Sequence, residues 1–148
     1  MIQKKSVFLI LLLLSAFFSL SAKGAGNLTT PPGKDSGSDS LVVVWTSDDP
    51  YVAERMVLMY THGAENQEWF DEVILVVWGP SAKLIAENEK LRKKVRQMQK
   101  DGVILQACVV CADSYEVTEN LRSFGFEVKG MGKPLSDYLK SGAHVLTF

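Results

Sequence analysis

The sequence predicts a three-layer α/β/α domain with a five-stranded, mainly parallel sheet, formed by residues 41–148. Short runs of β-branched and other apolar residues recur along the chain, as expected for strands that are buried on both faces. Helical patterns separate these runs, which is the arrangement that connects parallel strands. With 148 residues, of which 47% are apolar and 22% charged, the chain has the length and composition of one globular domain.

The first strand is predicted at residues 41–45, with the sequence LVVVW. Asp49 then suits the N-cap of a helix, and Pro50 suits its first position, where the missing N–H is not needed. The apolar residues expected to share one face of this helix are Val52, Met56, Met59 and Tyr60.

A long helix is predicted after the second strand, EVILVVW at residues 72–78. The segment GPS turns the chain, and helical periodicity then runs from about residue 82 to residue 100. The buried stripe of this helix consists of Leu84, Leu91, Val95 and Met98. The segment AENEK interrupts the apolar pattern, which predicts a break near Asn88, and Gly102 ends the helix.

The other three strands are predicted at residues 103–107, 126–130 and 144–148. The first of them, VILQA, ends at Cys108. A helix is predicted over residues 112–124 and ends at Gly125, because glycine tolerates the left-handed conformation found at helix C-termini. A short helix over residues 135–141 connects the last two strands.

The first 22 residues have the layout of a secretory signal peptide. Lys4 and Lys5 precede an apolar stretch that runs from Val7 to Leu20 and is followed by small residues. This stretch is shorter than the roughly 20 residues that a membrane-spanning helix needs. We therefore expect cleavage, export to the periplasm and no stable membrane span in the mature protein; without cleavage the segment would be a membrane anchor.

Residues 23–40 are rich in Gly, Ser, Pro and Asp, which predicts a flexible linker.

The charge of the chain argues against a nucleic-acid partner. There are 16 basic and 17 acidic residues, and loss of Lys4 and Lys5 with the signal peptide leaves a net charge of about −3. Binding to a phosphate backbone requires a surplus of Lys and Arg on one face. No glycine-rich phosphate-binding motif follows a predicted strand, so no nucleotide cofactor is expected.

One edge of the predicted sheet contains the residues with functional potential. Ligands of parallel sheets bind outside the carboxyl ends of the strands. This edge holds two cysteines together with four residues that could line a pocket: Trp45, Asp48, Trp78 and Met131. The two tryptophans could instead pack in the core or form an oligomer contact.

Cys108 and Cys111, the only cysteines of the chain, form the main candidate site. A thiol where a strand passes into a helix can have a lowered pKa and hence more of the nucleophilic thiolate, although Asp113 and Glu116 would oppose that shift. If the segment is helical, the two cysteines lie about one turn apart, which is within reach of a disulfide. The alternative is that both side chains only pack beneath the helix.

The two histidines are expected at the opposite edge of the sheet. His62 lies near the end of the first helix, and His144 begins the last strand. Neither could then act as the base of a Cys/His hydrolase. With one pair of cysteines and no histidine nearby, the ligand set for zinc is also incomplete, so no metal site is predicted.

Several segments resemble the DsrE family of small α/β proteins: LVVVWTSDDPYVAERMVLMYTHGA, DEVILVVWGPSAKLIAENEKL, GVILQACVVCADSYEV and LRSFGFEVKGMGKPLSDYLKSG, closed by VLTF. The similarity covers essentially all of residues 41–148. It implies a parallel-sheet fold and assembly into homotrimers or hexamers. In the sulfur-relay members of the family, a cysteine after the third strand accepts sulfane sulfur as a persulfide and passes it on, and Cys108 matches that position.

The resemblance makes an exported sulfur-handling protein the first hypothesis, as a sulfurtransferase or a sulfur carrier. Cys108 would be the sulfur acceptor and Cys111 a resolving thiol, with a sulfur donor or acceptor protein as partner. A second hypothesis is a reversible Cys108–Cys111 disulfide that exchanges electrons with a partner. A third is a non-catalytic oligomeric binding module, with Trp45 and Trp78 lining a ligand pocket or a subunit contact.

Overall fold

A computed structural model describes residues 39–148 and confirms the predicted α/β fold. Five parallel strands form one sheet in the order β4-β3-β2-β1-β5. They are β1 (Ser40–Trp45), β2 (Glu72–Val77), β3 (Ile104–Cys108), β4 (Glu127–Lys129) and β5 (His144–Thr147). The predicted signal peptide and all but the last two residues of the predicted linker lie outside the described residues.

The two faces of the sheet have separate apolar layers. β1 is buried along its whole length, and β2 is buried from Val73 to Val77, as expected for strands covered on both sides. Side chains alternate between the faces. We call the face that carries Val43 and Trp45 the first face, and the face that carries Val42 and Val44 the second face.

The helices cover the two faces unequally. Those on the first face are α1 (residues 50–66), α2 (Ser81–Glu87), α3 (Glu89–Asp101), α4 (Val109–Ser114) and α5 (Thr118–Ser123). Within residues 39–148, α6 (Gly132–Lys140) is the helix that packs on the second face. Crossovers between parallel strands are right-handed. The steps from β1 to β4 run one way across the sheet, whereas the return to β5 runs the other way and brings α6 to the opposite face.

α1 consists of Pro50–Val52, a π-helical turn at Ala53–Val57, and Leu58–Asn66. As predicted, Asp49 caps it, because its carboxylate accepts the N–H groups of Tyr51 and Val52 at 2.7 and 3.3 Å. Its buried residues are Ala53, Val57, Leu58, Thr61 and Ala64. The expected apolar face is confirmed only in part: Val52 and Tyr60 pack against the core, whereas Met56 and Met59 are 49% and 63% exposed. Small and β-branched residues allow the helix to lie closer to the sheet than the methionines would.

The predicted break in the second helical region is confirmed. α2 ends at Glu87, α3 begins at Glu89, and the side chain of Asn88 caps α3 by accepting the N–H of Leu91 at 3.1 Å. Leu91, Val95 and Met98 are buried, as their spacing predicted. α3 ends at Gly102, whose φ of +125° favours glycine.

The single helix predicted over residues 112–124 is two helices, α4 and α5. α4 begins at Val109 and ends in a Schellman motif, in which the N–H of Val117 bonds to the carbonyl of Ala112 and the N–H of Glu116 to that of Asp113. Glu116 has a φ of +57° and breaks the helical path. The break turns Val117 into the core, where it is buried. Burial of Val117 therefore outweighs the helical pattern of the sequence.

α6 begins at Gly132, three residues before the predicted start, and ends at Lys140. It contributes Leu135 and Tyr138 to the apolar layer of the second face. Among the helices of residues 39–148, none is long and apolar enough to cross a membrane.

Candidate functional site

Cys108 ends β3 at the carboxyl edge of the sheet, with its side chain on the second face. It is 5% exposed and packs in the apolar layer that includes Val44, Val76 and Met131. The backbone at Cys108 is still extended and α4 begins at the next residue, so Cys108 is the N-cap of α4. β3 therefore places this thiol in the protein interior.

Cys111 lies in the first turn of α4 and is partly exposed. Its side chain contacts the apolar layers of both faces. Its thiol lies close enough to the side chain of Cys108 and to the backbone of Gly79 for both to act on its pKa. Both thiols are free. The site is thus a pair of reduced cysteines in contact, with one member buried and the other accessible to solvent.

The pKa of Cys111 is raised above its ordinary value. Burial is the main cause, since it disfavours the thiolate; the backbone of Gly79 lowers the pKa in part, and the neighbouring Cys108 raises it further. At neutral pH Cys111 rests as the protonated thiol.

The turn after β2 positions the backbone that contacts Cys111. Gly79 has a φ of +71°, in the region that favours glycine. The hydroxyl of Ser81, which is fully buried, donates to the carbonyl of Trp45 at 2.6 Å and accepts the N–H of Trp78 at 3.1 Å. These bonds tie the ends of β1 and β2 to the start of α2. Gly79 lies between Trp78 and Ser81 and is therefore held in place.

The four residues predicted to line a pocket lie in different environments. Trp45 and Met131 are fully buried, in the layers of the first and second face respectively. Trp78 is partly buried against the layer of the second face. Asp48 is exposed and lines an open groove of about 410 Å³. Trp45 and Met131 are therefore core residues and do not line this groove, because strand alternation and the start of α6 turn them inward.

A row of polar side chains lies beside Cys108 on the second face. Tyr138 donates its hydroxyl to Gln106 at 3.1 Å, and Gln106 donates its amide to Glu127 at 3.1 Å. Lys129, which pairs with Cys108 in the sheet register, binds the same carboxylate at 2.6 Å. Gln106 is 5% exposed, and these bonds satisfy both ends of its amide. The glutamine within the apolar run VILQA was the sequence signal for this row.

The histidines lie far along the chain from the cysteines and have other partners. His62 of α1 bonds to Asp101 at 2.6 Å and to Lys94 at 2.5 Å. His144 begins β5, at the amino edge of the sheet, and its ring packs against Phe70. Within residues 39–148, no group of three or more His, Cys, Asp or Glu residues is arranged to hold a metal ion.

Comparison with known proteins identifies relatives by structure. No family model and no curated protein matches the chain. A conserved protein of unknown function from Bacteroides thetaiotaomicron, BT1422, is 30% identical, with a TM-score of 0.71 and coverage of 74% of this chain and 95% of BT1422. The YchN protein of E. coli is 16% identical, with a TM-score of 0.56 and coverage of 75% of this chain and 99% of YchN, and supports a DsrE-like fold. The chain therefore belongs to the family of BT1422, a conserved protein of unknown function, and has a DsrE-like α/β fold.

Proposed function

We propose that this protein handles sulfane sulfur, with Cys108 holding the sulfur as a persulfide and Cys111 acting as the resolving thiol. The observation that supports this best is the contact between the two free thiols at the carboxyl edge of the sheet, where one of them is accessible to solvent. The DsrE-like fold agrees with this role. The protein is then a sulfur carrier, or a sulfurtransferase if it also passes the sulfur to an acceptor.

The chemistry needs thiols alone. In loading, a thiolate attacks the outer sulfur of a donor persulfide R–S–SH; the donor S–S bond breaks, R–S⁻ leaves, and the protein gains a persulfide without net oxidation. In resolution, the Cys111 thiolate attacks Sγ of the Cys108 persulfide and HS⁻ leaves. The two cysteines are then oxidised to a disulfide, and the sulfane sulfur is reduced to sulfide.

Mass spectrometry after incubation with inorganic polysulfide tests the proposal. We expect the reduced protein to gain about 32 Da, the mass of one sulfur atom, on the segment that contains both cysteines, since persulfides form on accessible thiols by exchange. The Cys108→Ser/Cys111→Ser double variant is the matched control and should gain nothing. The proposal would be overturned if the natural protein neither gained this mass nor released sulfide while its two cysteines formed a disulfide, or if the double variant gained the mass equally.

A thiol–disulfide redox role is the second candidate, favoured by the same contact. The two thiols are close enough for Cys108 to act on the pKa of Cys111, and cysteines one helical turn apart are within reach of a disulfide. The measurement that separates the roles is the reduction potential of the pair. A value below about −300 mV would mark a structural disulfide and exclude an electron-exchange function.

We also propose that the protein is exported to the periplasm and forms homo-oligomers. The signal-like N-terminus supports export, and the exposed Tyr51, Met56, Met59 and Trp69 support self-association, because large apolar side chains on a surface favour contacts between proteins. Native mass spectrometry of protein from a periplasmic fraction tests both ideas. The expected species is a trimer or hexamer of subunits that lack residues 1–22; full-length monomers would contradict both.

A further inference from the structure

An open groove lies at the carboxyl edge of the sheet, and two of its lining residues are close to Cys111 or to the backbone beside it. It is lined by Asp48, Pro80, Lys83, Leu84, Glu87 and Tyr115 and has a volume of about 410 Å³. Pro80 follows Gly79, whose backbone is close enough to Cys111 to act on its pKa. Tyr115 lies one helical turn beyond Cys111, and its N–H bonds to the Cys111 carbonyl at 3.3 Å. The groove is thus lined by a neighbour of Gly79 and by a residue one turn from the accessible thiol.

The burial of the two cysteines fixes the order in which a donor can reach them. Cys108 is 5% exposed within an apolar layer. Cys111 is partly exposed and touches Cys108. A donor larger than a few atoms meets Cys111 first, because access to Cys108 would require the apolar layer to open.

We propose that Cys111 is the first sulfur acceptor, that the groove binds the sulfur donor, and that Cys111 then passes the sulfur to the buried Cys108. This inference rests on the proposed function.

The residues that line the groove indicate the chemical class of the donor. The volume of the groove suits a small molecule. Its walls carry one ammonium group, on Lys83, which pairs with the exposed carboxylate of Glu87 at 4.0 Å, and a second carboxylate, on Asp48. A donor with both a carboxylate and an ammonium group complements these charges. The structure thus favours a persulfide derived from an amino acid or short peptide.

The relay consists of two balanced exchanges. The Cys111 thiolate, after losing its proton to solvent, attacks the outer sulfur of the donor; the donor S–S bond breaks and the donor leaves as its thiolate. Cys108 then attacks the outer sulfur of the Cys111 persulfide. A new S–S bond forms on Cys108, the S–S bond on Cys111 breaks, and the proton of the Cys108 thiol passes to the departing Cys111 sulfur. No net oxidation occurs in either step, and Cys111 is free again to act as the resolving thiol.

Rapid-quench loading with cysteine persulfide tests the relay. Samples are trapped by acid and alkylation, and fragmentation mass spectrometry assigns the added sulfur to Cys108 or Cys111. In the natural protein we expect sulfur on Cys111 first and on Cys108 later. Cys111→Ser should load Cys108 more slowly by about tenfold or more, because the exposed thiol is gone. Cys108→Ser should take up sulfur on Cys111 at the natural rate.

A second comparison tests the groove. Lys83→Gln should slow loading by cysteine persulfide at low donor concentration but not loading by inorganic polysulfide, which has no carboxylate. Lys93→Gln is the matched control, since Lys93 lies on the exposed surface of α3, paired with Glu89. Sulfur that appears on Cys108 first, or a Cys111→Ser variant that loads at the natural rate, would overturn the relay while the proposed function stands. A natural protein that does not load at all would instead refute the proposed function.

Discussion

Protein-bound sulfur should be lost about tenfold or more faster from Cys108→Ser than from Cys111→Ser, because persulfide lability follows the access of an attacking thiol. In Cys111→Ser the sulfur resides on Cys108, whose side chain is 5% exposed. In Cys108→Ser the only remaining site is Cys111, which is partly exposed. The measurement is the loss of the added sulfur mass after the donor is removed and a small thiol is supplied.

Cys111→Ser is the matched control for this experiment. Once loaded by inorganic polysulfide, it should keep its sulfur at least as long as the natural protein does, because no second thiol is present to expel sulfide. Cys108→Ala should behave like Cys108→Ser. Because alanine removes the thiol without burying an unpaired hydroxyl, this variant separates the two effects. Equal sulfur lifetimes in Cys111→Ser and in both Cys108 variants would show that Cys108 does not hold the sulfur in a protected position.

Replacement of Trp45 by alanine should lower the free energy of unfolding by about 3–5 kcal/mol, the usual cost of removing a large aromatic side chain from a core. Trp45 is fully buried at the end of β1, an interior strand of the sheet. Domains of this size are stable by only about 5–15 kcal/mol, so the loss is a large part of the total. Urea unfolding followed by circular dichroism measures it.

Two control variants separate the effect of burial from that of the aromatic ring. Trp69→Ala removes a tryptophan that is 53% exposed and should cost much less. Trp45→Phe keeps most of the ring volume and removes Nε1, which has no hydrogen-bond partner within residues 39–148. Its cost should therefore fall well below that of Trp45→Ala. If Trp45→Ala cost no more than Trp69→Ala, Trp45 would not be a core residue.

Patterns that act over a few residues predicted most of the secondary structure. The runs LVVVW and EVILVVW are strands because β-branched side chains that are apolar on both faces suit a covered sheet. Asp49 and Asn88 were recognisable as caps because a short polar side chain satisfies a free N–H at a helix start. Prediction from local sequence failed where a segment was compatible with more than one local structure. Either face of α1 is apolar enough to bury, and residues 112–124 have a helical pattern despite the break at Glu116.

The sequence by itself determined the fold class, the position of the cysteines at the carboxyl edge of the sheet, and their separation from both histidines, because parallel strands align their ends wherever the intervening helices lie. The tertiary structure alone decided which thiol is buried, which backbone contacts Cys111, and which residues line the groove beside it. Those features depend on how α2, α4 and α6 pack over the strand ends. Contacts between residues far apart in the chain are set by the shapes of both packed surfaces, and no local pattern encodes them.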